Sequence, residues 1–548
     1  MSSGQAEGPA RTSVMQSLDI DTSASFRSAS DPREVQVRQR SSTTETPSKQ
    51  SLSSKSLARG TVVNVLNLEG TNDGDDGEEK ISGLATLITL IGAMIGAGIM
   101  ALPQLPVKGG CVLASLLTVF TGISTIEAGI VFFDTVYRHN EMAKRDTNYK
   151  KIKTFEDYGR EGAGALGSMF VRISVTIWFI GLCSGYFILL AQQIKGLGDV
   201  LYVPDISYRA CVLLVLPVLW VLSLQRDTAA IARLMPLATA GGVVSCLVII
   251  TMGIWDSSCW SHWKHSIHTI GLPEDMTFLK AASMYATLNG AYAVVANLPS
   301  VAGAMAEPAE FPWVYKANIS ITTVLNLCVM LAGHYGWGSF LQDSIVDSMM
   351  YNPASYEESL LNHTMWTGPK AVILPRVMIL AVTVNIILSY PLCLMCVFLS
   401  VENTEFGLAN LPVGSKKSYI MRSTTVALTG AIAFSTENFA DVFALFSSVC
   451  GPVQGIFFVF LFARKIRQQS AAPEYGVPRK AFHVVLMVCA VFCIVFGLYD
   501  STMNLLNPSP ATSEPLSGGT PAPTPNVTEA VLPGKNTVQA AMAVISRF

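Results

Sequence analysis

The sequence predicts an all-α membrane protein with about eleven transmembrane helices. Half of its 548 residues are hydrophobic, only 14% are charged, and the mean hydropathy is +0.42. A soluble chain of this length would carry roughly 25% charged residues. The charges crowd into the first 80 residues and a few short islands, which leaves long apolar runs between them. This distribution is typical of a chain that crosses a bilayer many times.

Eleven apolar runs reach or approach the length of a membrane span, and the fourth and ninth are the shortest. They are predicted at about 81–106, 111–136, 165–194, 208–224, 229–254, 278–301, 316–341, 371–400, 419–435, 441–463 and 481–505.

These runs divide the chain into three regions. Residues 1–78 are rich in Ser, Thr and Gln and lead into the acidic stretch DGDDGEEK, so they cannot bury enough apolar surface to fold. We therefore predict a disordered cytoplasmic N-terminal tail. Residues 79–506 are predicted to form the transmembrane domain. Residues 507–548, rich in Pro, Ser and Thr, are predicted to form a flexible C-terminal tail.

Basic residues in the loops predict the orientation of the bundle. Lys and Arg are abundant in the segments 138–160 and 464–480, whereas the loops on the opposite side hold few of them. Because basic loops stay in the cytoplasm, the N-terminus is predicted to be cytoplasmic. An odd number of spans then places the C-terminus outside the cell or in a lumen. The sequence leaves open whether the membrane is the plasma membrane or an endolysosomal or vacuolar one.

The first span contains an unusual concentration of glycine at mid-membrane. It reads GLATLITLIGAMIGAGIMALPQLP, with Gly92, Gly96 and Gly98 within seven positions. Glycine is a poor helix former, and a broken helix in lipid is tolerated only where its freed backbone groups line a cavity or are covered by protein. The alternative is close helix packing, because Gly92 and Gly96 are four residues apart and share a helix face.

The sixth span favours a broken helix over packing alone. It is interrupted at Asn289-Gly290-Ala291-Tyr292, and a further interruption is predicted at Pro299. Paired interruptions five spans apart are typical of transporters built from two inverted repeats. An unwound segment leaves free N–H groups at the positive end of one half-helix, which suits a carboxylate, and free carbonyls that suit an ammonium group or a sodium ion. Such a site recognises the part that all amino acids share.

The motifs around these breaks occur together in one known family. IGAMIGAGIMALP in the first span, EDYGREGAGALG before the third, AGAMAEPAEFPWVY after the sixth, GHYGWGSF in the seventh and ILSYPLCL in the eighth resemble, in the same order, motifs of the amino acid/auxin permease family (the transmembrane amino acid transporters), within the amino acid–polyamine–organocation superfamily. The resemblance covers about residues 80–505. It implies the leucine-transporter-type fold, with a five-plus-five inverted repeat, broken helices 1 and 6, and ion-driven transport of amino acids.

The resemblance also implies the residues of the substrate site. The family's unwound first helix matches the segment from Gly92 to Gly98, and its unwound sixth helix matches Asn289 to Tyr292. A third-helix tyrosine that can face the substrate matches Tyr186, which could equally serve in packing. The predicted substrate-binding residues are Gly92, Ala93, Met94, Gly96, Ala97, Gly98, Tyr186, Asn289, Gly290 and Tyr292.

Two further residues are candidates for ion coupling. Ser389 matches an eighth-helix position that can offer a hydroxyl to a sodium ion near Gly92. Sodium-coupled members often carry Asn where this chain has Gly92, so a proton is favoured. Glu127 lies in the second span, where a buried carboxyl group could load and release protons; a structural hydrogen bond to a neighbouring helix is the alternative.

The leading interpretation is a secondary active transporter for neutral amino acids that works by alternating access, with H⁺ or Na⁺ as coupling ion. An amino acid sensor on the same fold is the alternative. The predicted partners are the amino acid and the lipid bilayer, without nucleic acid. No enzyme activity is predicted, because the membrane region and its loops show no paired catalytic carboxylates, His/Cys clusters or phosphate-cradling loops. No cofactor is predicted, and no metal centre beyond the possible sodium site, because Cys393 and Cys396 form a C-x-x-C without the second pair a zinc site needs.

Overall fold

The computed structural model of the protein describes most of the transmembrane region. The two predicted tails, 1–78 and 507–548, and the predicted site residue Ala97 lie outside the described residues. The described residues are 82–96, 98–146, 149–200, 206–224, 235–255, 269–274, 276–303, 305–338, 341, 344–350, 369–402, 415–470 and 473–506.

Within this described part, eleven long helical segments, two of them broken, follow the order of the eleven predicted spans. Short helices occupy some of the connections, as at Ile345–Met350. The segments are α1 (Gly83–Met94 and Gly98–Gly109), α2 (Cys111–Arg145), α3 (Phe155–Val200), α4 (Tyr208–Leu224), α5 (Met235–Trp255), α6 (Phe278–Ala291 and Leu298–Gly303), α7 (Phe311–Trp337), α8 (Pro369–Glu402), α9 (Lys416–Ser435), α10 (Phe439–Gln469) and α11 (Val477–Leu506).

The apolar length of these helices supports a membrane location. Among the described helices, seven are individually long and apolar enough to cross a membrane, and α1 makes an eighth if its two parts count as one span. The helix α4 is also apolar, but with 17 residues it is shorter than these seven. The predicted fold class, an all-α membrane bundle with broken first and sixth helices, is confirmed.

Several helices extend beyond their predicted apolar spans. The helix α2 continues from the predicted end at residue 136 to Arg145, and α3 begins at Phe155 with a kink at Ala163 and Gly164. Gly164 has φ +70°, a conformation that glycine adopts at little cost. Hydropathy marks only the lipid-facing length of a helix, whereas backbone hydrogen bonds carry the helix onward through polar residues.

Small residues bring the first helix close to its neighbours. A Cβ atom added to Gly92 would lie 2.4 Å from Oγ1 of Thr239 on α5, and one added to Gly242 would lie 2.7 Å from Cγ2 of Ile95. Such contacts leave no space for larger side chains, as is usual where helices approach closely in membranes. Gly92 therefore serves the packing role that its spacing also predicted.

Candidate functional site

The break in α1 is short and lies within the predicted segment from Gly92 to Gly98. The first half-helix ends at Met94, and Ile95 leaves the helical conformation with φ −79° and ψ 81°. The Gly96 N–H bonds to the Met94 carbonyl at 3.0 Å, and the second half-helix starts at Gly98. The two halves are bent by 49° relative to each other.

Three predicted site residues lie in the first half-helix rather than in the break. Gly92, Ala93 and Met94 are all helical, and only Gly96 and Gly98 of the described residues reach the interruption or its edge. Because the helix keeps its hydrogen bonds through Met94, the unwound segment is shorter than the family motif implied. The Met94 sulfur accepts a hydrogen bond from Nδ2 of Asn318 on α7 at 3.2 Å.

The break in α6 begins at Tyr292. Asn289 and Gly290 occupy the last turn of the first half-helix, and Tyr292 ends that half with its N–H bonded to the Leu288 carbonyl at 3.1 Å. A 3₁₀ turn follows before the second half-helix begins at Leu298. The predicted interruption at Pro299 is wrong, because Pro299 lies in the first turn of this half-helix, where its missing N–H leaves no helical bond unmade.

The two breaks contact each other directly. A Cβ atom added to Gly98 would lie 3.1 Å from Cα of Ala291, the last residue of the first half of α6. The Tyr292 hydroxyl donates to Oγ1 of Thr323 on α7 at 2.9 Å, which anchors the break of α6 to the helix that also holds Met94. The interruptions therefore form one region of irregular backbone.

Tyr186 of α3 lies beside the break of α1. Its hydroxyl oxygen is 3.3 Å from the position that a Cβ atom on Gly96 would take, and the side chain is buried. Helix α10 adds the ring of Phe443, whose centre is 6.1 Å from that of Trp178 on α3. The sequence did not single out these two aromatic residues, because a buried ring in an apolar span does not reveal which helix it faces.

A cavity opens beside the break of α6. It is small, with a volume of about 20 Å³, and lies between α2, α6 and α10. Ser124 and Thr125 of α2, Asn289 and Tyr292 of α6, and Gln454 of α10 contribute its polar lining. Two of the predicted site residues therefore border a polar space beside irregular backbone.

Ser389 lies half-buried on α8. One turn earlier, Asn385 donates to the Ala238 carbonyl of α5 at 2.7 Å. The Ile95 carbonyl, at the break of α1, approaches α5. It lies 2.9 Å from the position that a Cβ atom on Gly242 would take. Neutral oxygen and amide groups of α1, α5 and α8 thus come together one turn from Ser389.

Glu127 lies in a cluster of charged and polar residues between α2 and α11. Its Oε1 accepts hydrogen bonds from Nε of Arg479 at 2.5 Å and pairs with Nε2 of His483 at 2.7 Å. Both partners belong to α11, and the Glu127 side chain is 18% exposed. The His483 ring stacks on Phe460 of α10 with centres 4.3 Å apart. A half-buried carboxylate is therefore paired, as the cost of an isolated charge at depth demands.

A second acidic residue of α2 joins the same region. Asp134 pairs with Arg138 at 2.7 Å and with Arg467 of α10. The Arg467 guanidinium lies 4.1 Å and that of Arg479 lies 4.5 Å from the ring centre of Tyr475, whose pKa is raised mainly by burial. We call the following residues the α2–α11 cluster: Glu127, Asp134, Arg467, Tyr475, Arg479 and His483.

The partners of Glu127 could have been found in the sequence. Arg479 and His483 are four residues apart and so share one face of a helix. The predicted last span began at residue 481, whereas α11 begins at Val477, so Arg479 was assigned to a loop. A charge at depth needs a partner, and a basic pair at helical spacing was the available one.

In the described residues, no group of three or more His, Cys, Asp or Glu side chains could hold a metal ion.

Two curated relatives from Arabidopsis thaliana match parts of the chain. Amino acid transporter AVT1C is 23% identical over 262 residues, which cover 46% of this chain and 43% of the relative. Amino acid transporter AVT3C is 27% identical over 107 residues, which cover 20% of this chain and 24% of the relative. The matched segments thus span less than half of either relative.

Two solved transporters overlap the chain more widely in space. A Na⁺-coupled sialic acid symporter in a substrate-bound outward-open state gives a TM-score of 0.45 at 11% identity, over 83% of this chain and 96% of the symporter. MhsT in complex with L-phenylalanine gives a TM-score of 0.49 at 13% identity, over 78% of this chain and all of MhsT.

The family assignment rests on a match over most of the chain. The model of one family, described as transmembrane amino acid transporter protein, matches residues 79–503, from just before α1 almost to the end of α11. This agrees with the family resemblance of the sequence motifs and with an integral membrane protein that crosses the bilayer several times. The chain belongs to the transmembrane amino acid transporter protein family, a family of transporters rather than enzymes.

Proposed function

We propose that the protein is a secondary active transporter that moves neutral amino acids across a membrane by alternating access, with protons as the coupling ion. The observation that carries the proposal is the contact between the broken segments of α1 and α6. Membership in a family of amino acid transporters supports the substrate class.

The polarity of the helix ends supports binding of an amino acid between them. The second half of α1 begins at Gly98 and directs the positive end of its dipole towards the break, where a substrate carboxylate would meet the N–H groups of this first turn. The first half of α6 ends at Ala291 and directs its carbonyl end to the same region, which favours the substrate ammonium group.

The lining of this region supports a neutral substrate side chain. The described side chains at the two breaks are uncharged: Tyr186, Asn289, Tyr292, Trp178 and Phe443. A charged substrate side chain would lose its hydration there and find no opposite charge among these groups. Neutral amino acids avoid that cost.

Protons are proposed over sodium because the chain offers an acid at depth. Glu127 is held by Arg479 and His483, so a change of its protonation would change the contacts between α2 and α11. The alternative is a sodium ion near Gly92 and Ser389, where the carbonyl of Ile95 and the amide of Asn385 approach α5. We propose a cytoplasmic N-terminus on the strength of the basic loops.

Uptake into proteoliposomes tests the proposal. Purified protein would be reconstituted, and uptake of each of the twenty amino acids measured while the pH gradient and the sodium gradient are varied separately. We expect saturable uptake of neutral amino acids that follows an inward proton gradient and persists without sodium. Uptake that requires sodium would contradict the coupling ion. Saturable binding without flux would contradict transport and indicate a sensor.

A further inference from the structure

One face of α10 lies along both breaks. Phe439, Phe443, Ser447 and Gly451 follow one another at intervals of four residues, so they form a single stripe on the helix. All four are buried. The stripe runs from the close contact of Phe439 with Gly185 on α3 to the contact of Gly451 with Asn289 on α6.

The tip of Phe443 lies against both broken helices, beside the point where they meet. A Cβ atom added to Gly98 would lie 3.0 Å from Cζ of Phe443, and one added to Gly290 would lie 2.8 Å from the same atom. Gly98 starts the second half of α1, and Gly290 lies in the last turn of the first half of α6. One ring atom therefore touches both broken helices where neither carries a side chain.

Ser447, the next residue of the stripe, presents an unpaired hydroxyl group to α6. A Cβ atom added to Gly290 would lie 2.1 Å from Oγ of Ser447, which is fully buried. Within the described residues this oxygen has no hydrogen-bond partner. A buried hydroxyl without a partner is costly, and this one lies beside the break of α6, within reach of a ligand bound there.

We propose that Phe443 is the specificity-determining residue of the site, limiting the size of the substrate side chain, and that Ser447 offers a hydrogen bond to the bound substrate. The inference rests on the proposed function, because it adds α10 to α1 and α6 as a helix that borders the same substrate site. The Phe443 ring occupies the space that a side chain between Gly98 and Gly290 would need. The preferred substrates are therefore neutral amino acids with small side chains.

A side-chain series tests the size limit. Thermal stabilisation of the purified protein by alanine, valine, leucine and phenylalanine would be measured first, because this reports binding without requiring flux. Uptake of the same series would follow. Phe443→Leu and Phe443→Ala are expected to raise the affinity for leucine relative to alanine by ~10-fold or more, since one or two methylene groups in an apolar pocket decide 10–200-fold.

The matched control is Phe446→Leu on the same helix. Phe446 packs against Gly181 of α3, where a Cβ atom would lie 2.1 Å from its ring, so its loss should leave the leucine-to-alanine ratio unchanged. Ser447→Ala is expected to weaken binding of all four amino acids together. An unchanged affinity for all four would overturn the role of Ser447.

A second pair of variants tests the contact itself. Gly98→Ala is expected to weaken binding of alanine at least ~10-fold, because the new methyl group meets Cζ of Phe443. Adding Phe443→Leu removes that atom and should restore part of the loss, whereas adding Phe446→Leu should not.

The outcomes separate the two proposals. Folded Phe443→Leu protein with the same leucine-to-alanine ratio as wild type would overturn the size limit alone. Wild-type protein that is stabilised by no amino acid and takes none up would overturn the proposed function together with this inference.

Discussion

The central site and the α2–α11 cluster differ in the charge of their side chains. At the centre, two broken helices meet through glycines, aromatic rings and neutral polar groups, and the described side chains there carry no charge. In the cluster, the two acids of α2, Glu127 and Asp134, pair with basic residues of α10 and α11. The difference teaches that the two acids of α2 lie where oppositely charged partners exist. At the centre, the proposed recognition of the substrate would depend on backbone groups and on the shape of the site.

The largest effect is expected from a substitution that disrupts the contact between α6 and α10. Gly290→Ala places a methyl group 2.1 Å from Oγ of Ser447 and 2.8 Å from Cζ of Phe443, so these side chains or the two helices that carry the contact must shift. Overpacking of this kind costs about 1–3 kcal/mol, and we expect uptake to fall at least ~10-fold because the shift occurs at the breaks. Uptake kinetics in proteoliposomes measure the loss.

Gly303→Ala is the control for that variant. Gly303 lies in the second half of the same broken helix, and an added Cβ atom meets nothing within 4 Å. Uptake within about twofold of wild type is expected, since surface substitutions away from special features have small effects. Equal losses in the two variants would show that α6 tolerates no Cβ atom, and the central contact would not be special.

An intermediate effect is expected in the cluster. Glu127→Gln keeps the shape of the side chain and removes its charge, so the ion pairs with Arg479 and His483 are lost. We expect wild-type uptake to rise as the outer pH is lowered and uptake by the variant to lose this dependence, because the proposed proton acceptor is gone. Initial rates between pH 5 and 8 with the voltage clamped by ionophores measure it.

Glu156→Gln is a matched control for the loss of a half-buried ion pair. Glu156 bonds to Arg172 at 2.7 Å, and its side chain is 25% exposed against 18% for Glu127. This variant should retain the pH dependence. If Glu127→Gln retains it as well, the proton is carried elsewhere and Glu127 has only a structural role.

The smallest effect is expected at the exposed edge of the cluster. Lys480 holds the pKa of Glu474 below its ordinary value, but both side chains are largely exposed. The stabilisation is present at neutral pH and disappears as acid protonates Glu474. Because exposed pairs contribute little, Glu474→Gln should leave the melting temperature and the uptake rate unchanged at neutral pH. A clear drop in melting temperature would place this pair inside the cluster.

The breaks could be predicted from sequence because their signals are local. Glycine at Gly96 and Gly98 and the Asn289-Gly290 pair weaken a helix wherever they stand, so their position alone indicated irregular backbone. The extent of the first break could not be predicted, since the helix is held through Met94 by contacts with α5 and α7 that sequence does not display.

The partners across helices were harder to predict, because they depend on how distant spans are rotated against each other. Phe443 reads as an ordinary apolar residue until α10 is placed against Gly98 and Gly290. Arg479 reads as a basic flank of the last span until α11 is packed beside Glu127. In both cases the residue type was visible and the direction of its side chain was not.

Helix α10, like α2, reaches both regions. Its stripe ends at Gly451, and a π-helical turn follows at Val453–Phe457, whose extra residue turns the remainder of the helix towards a different neighbour. Beyond that turn, Phe460 stacks on His483. One helix therefore connects the proposed substrate site with the α2–α11 cluster, so a tilt of α10 would move the side chains at both places together.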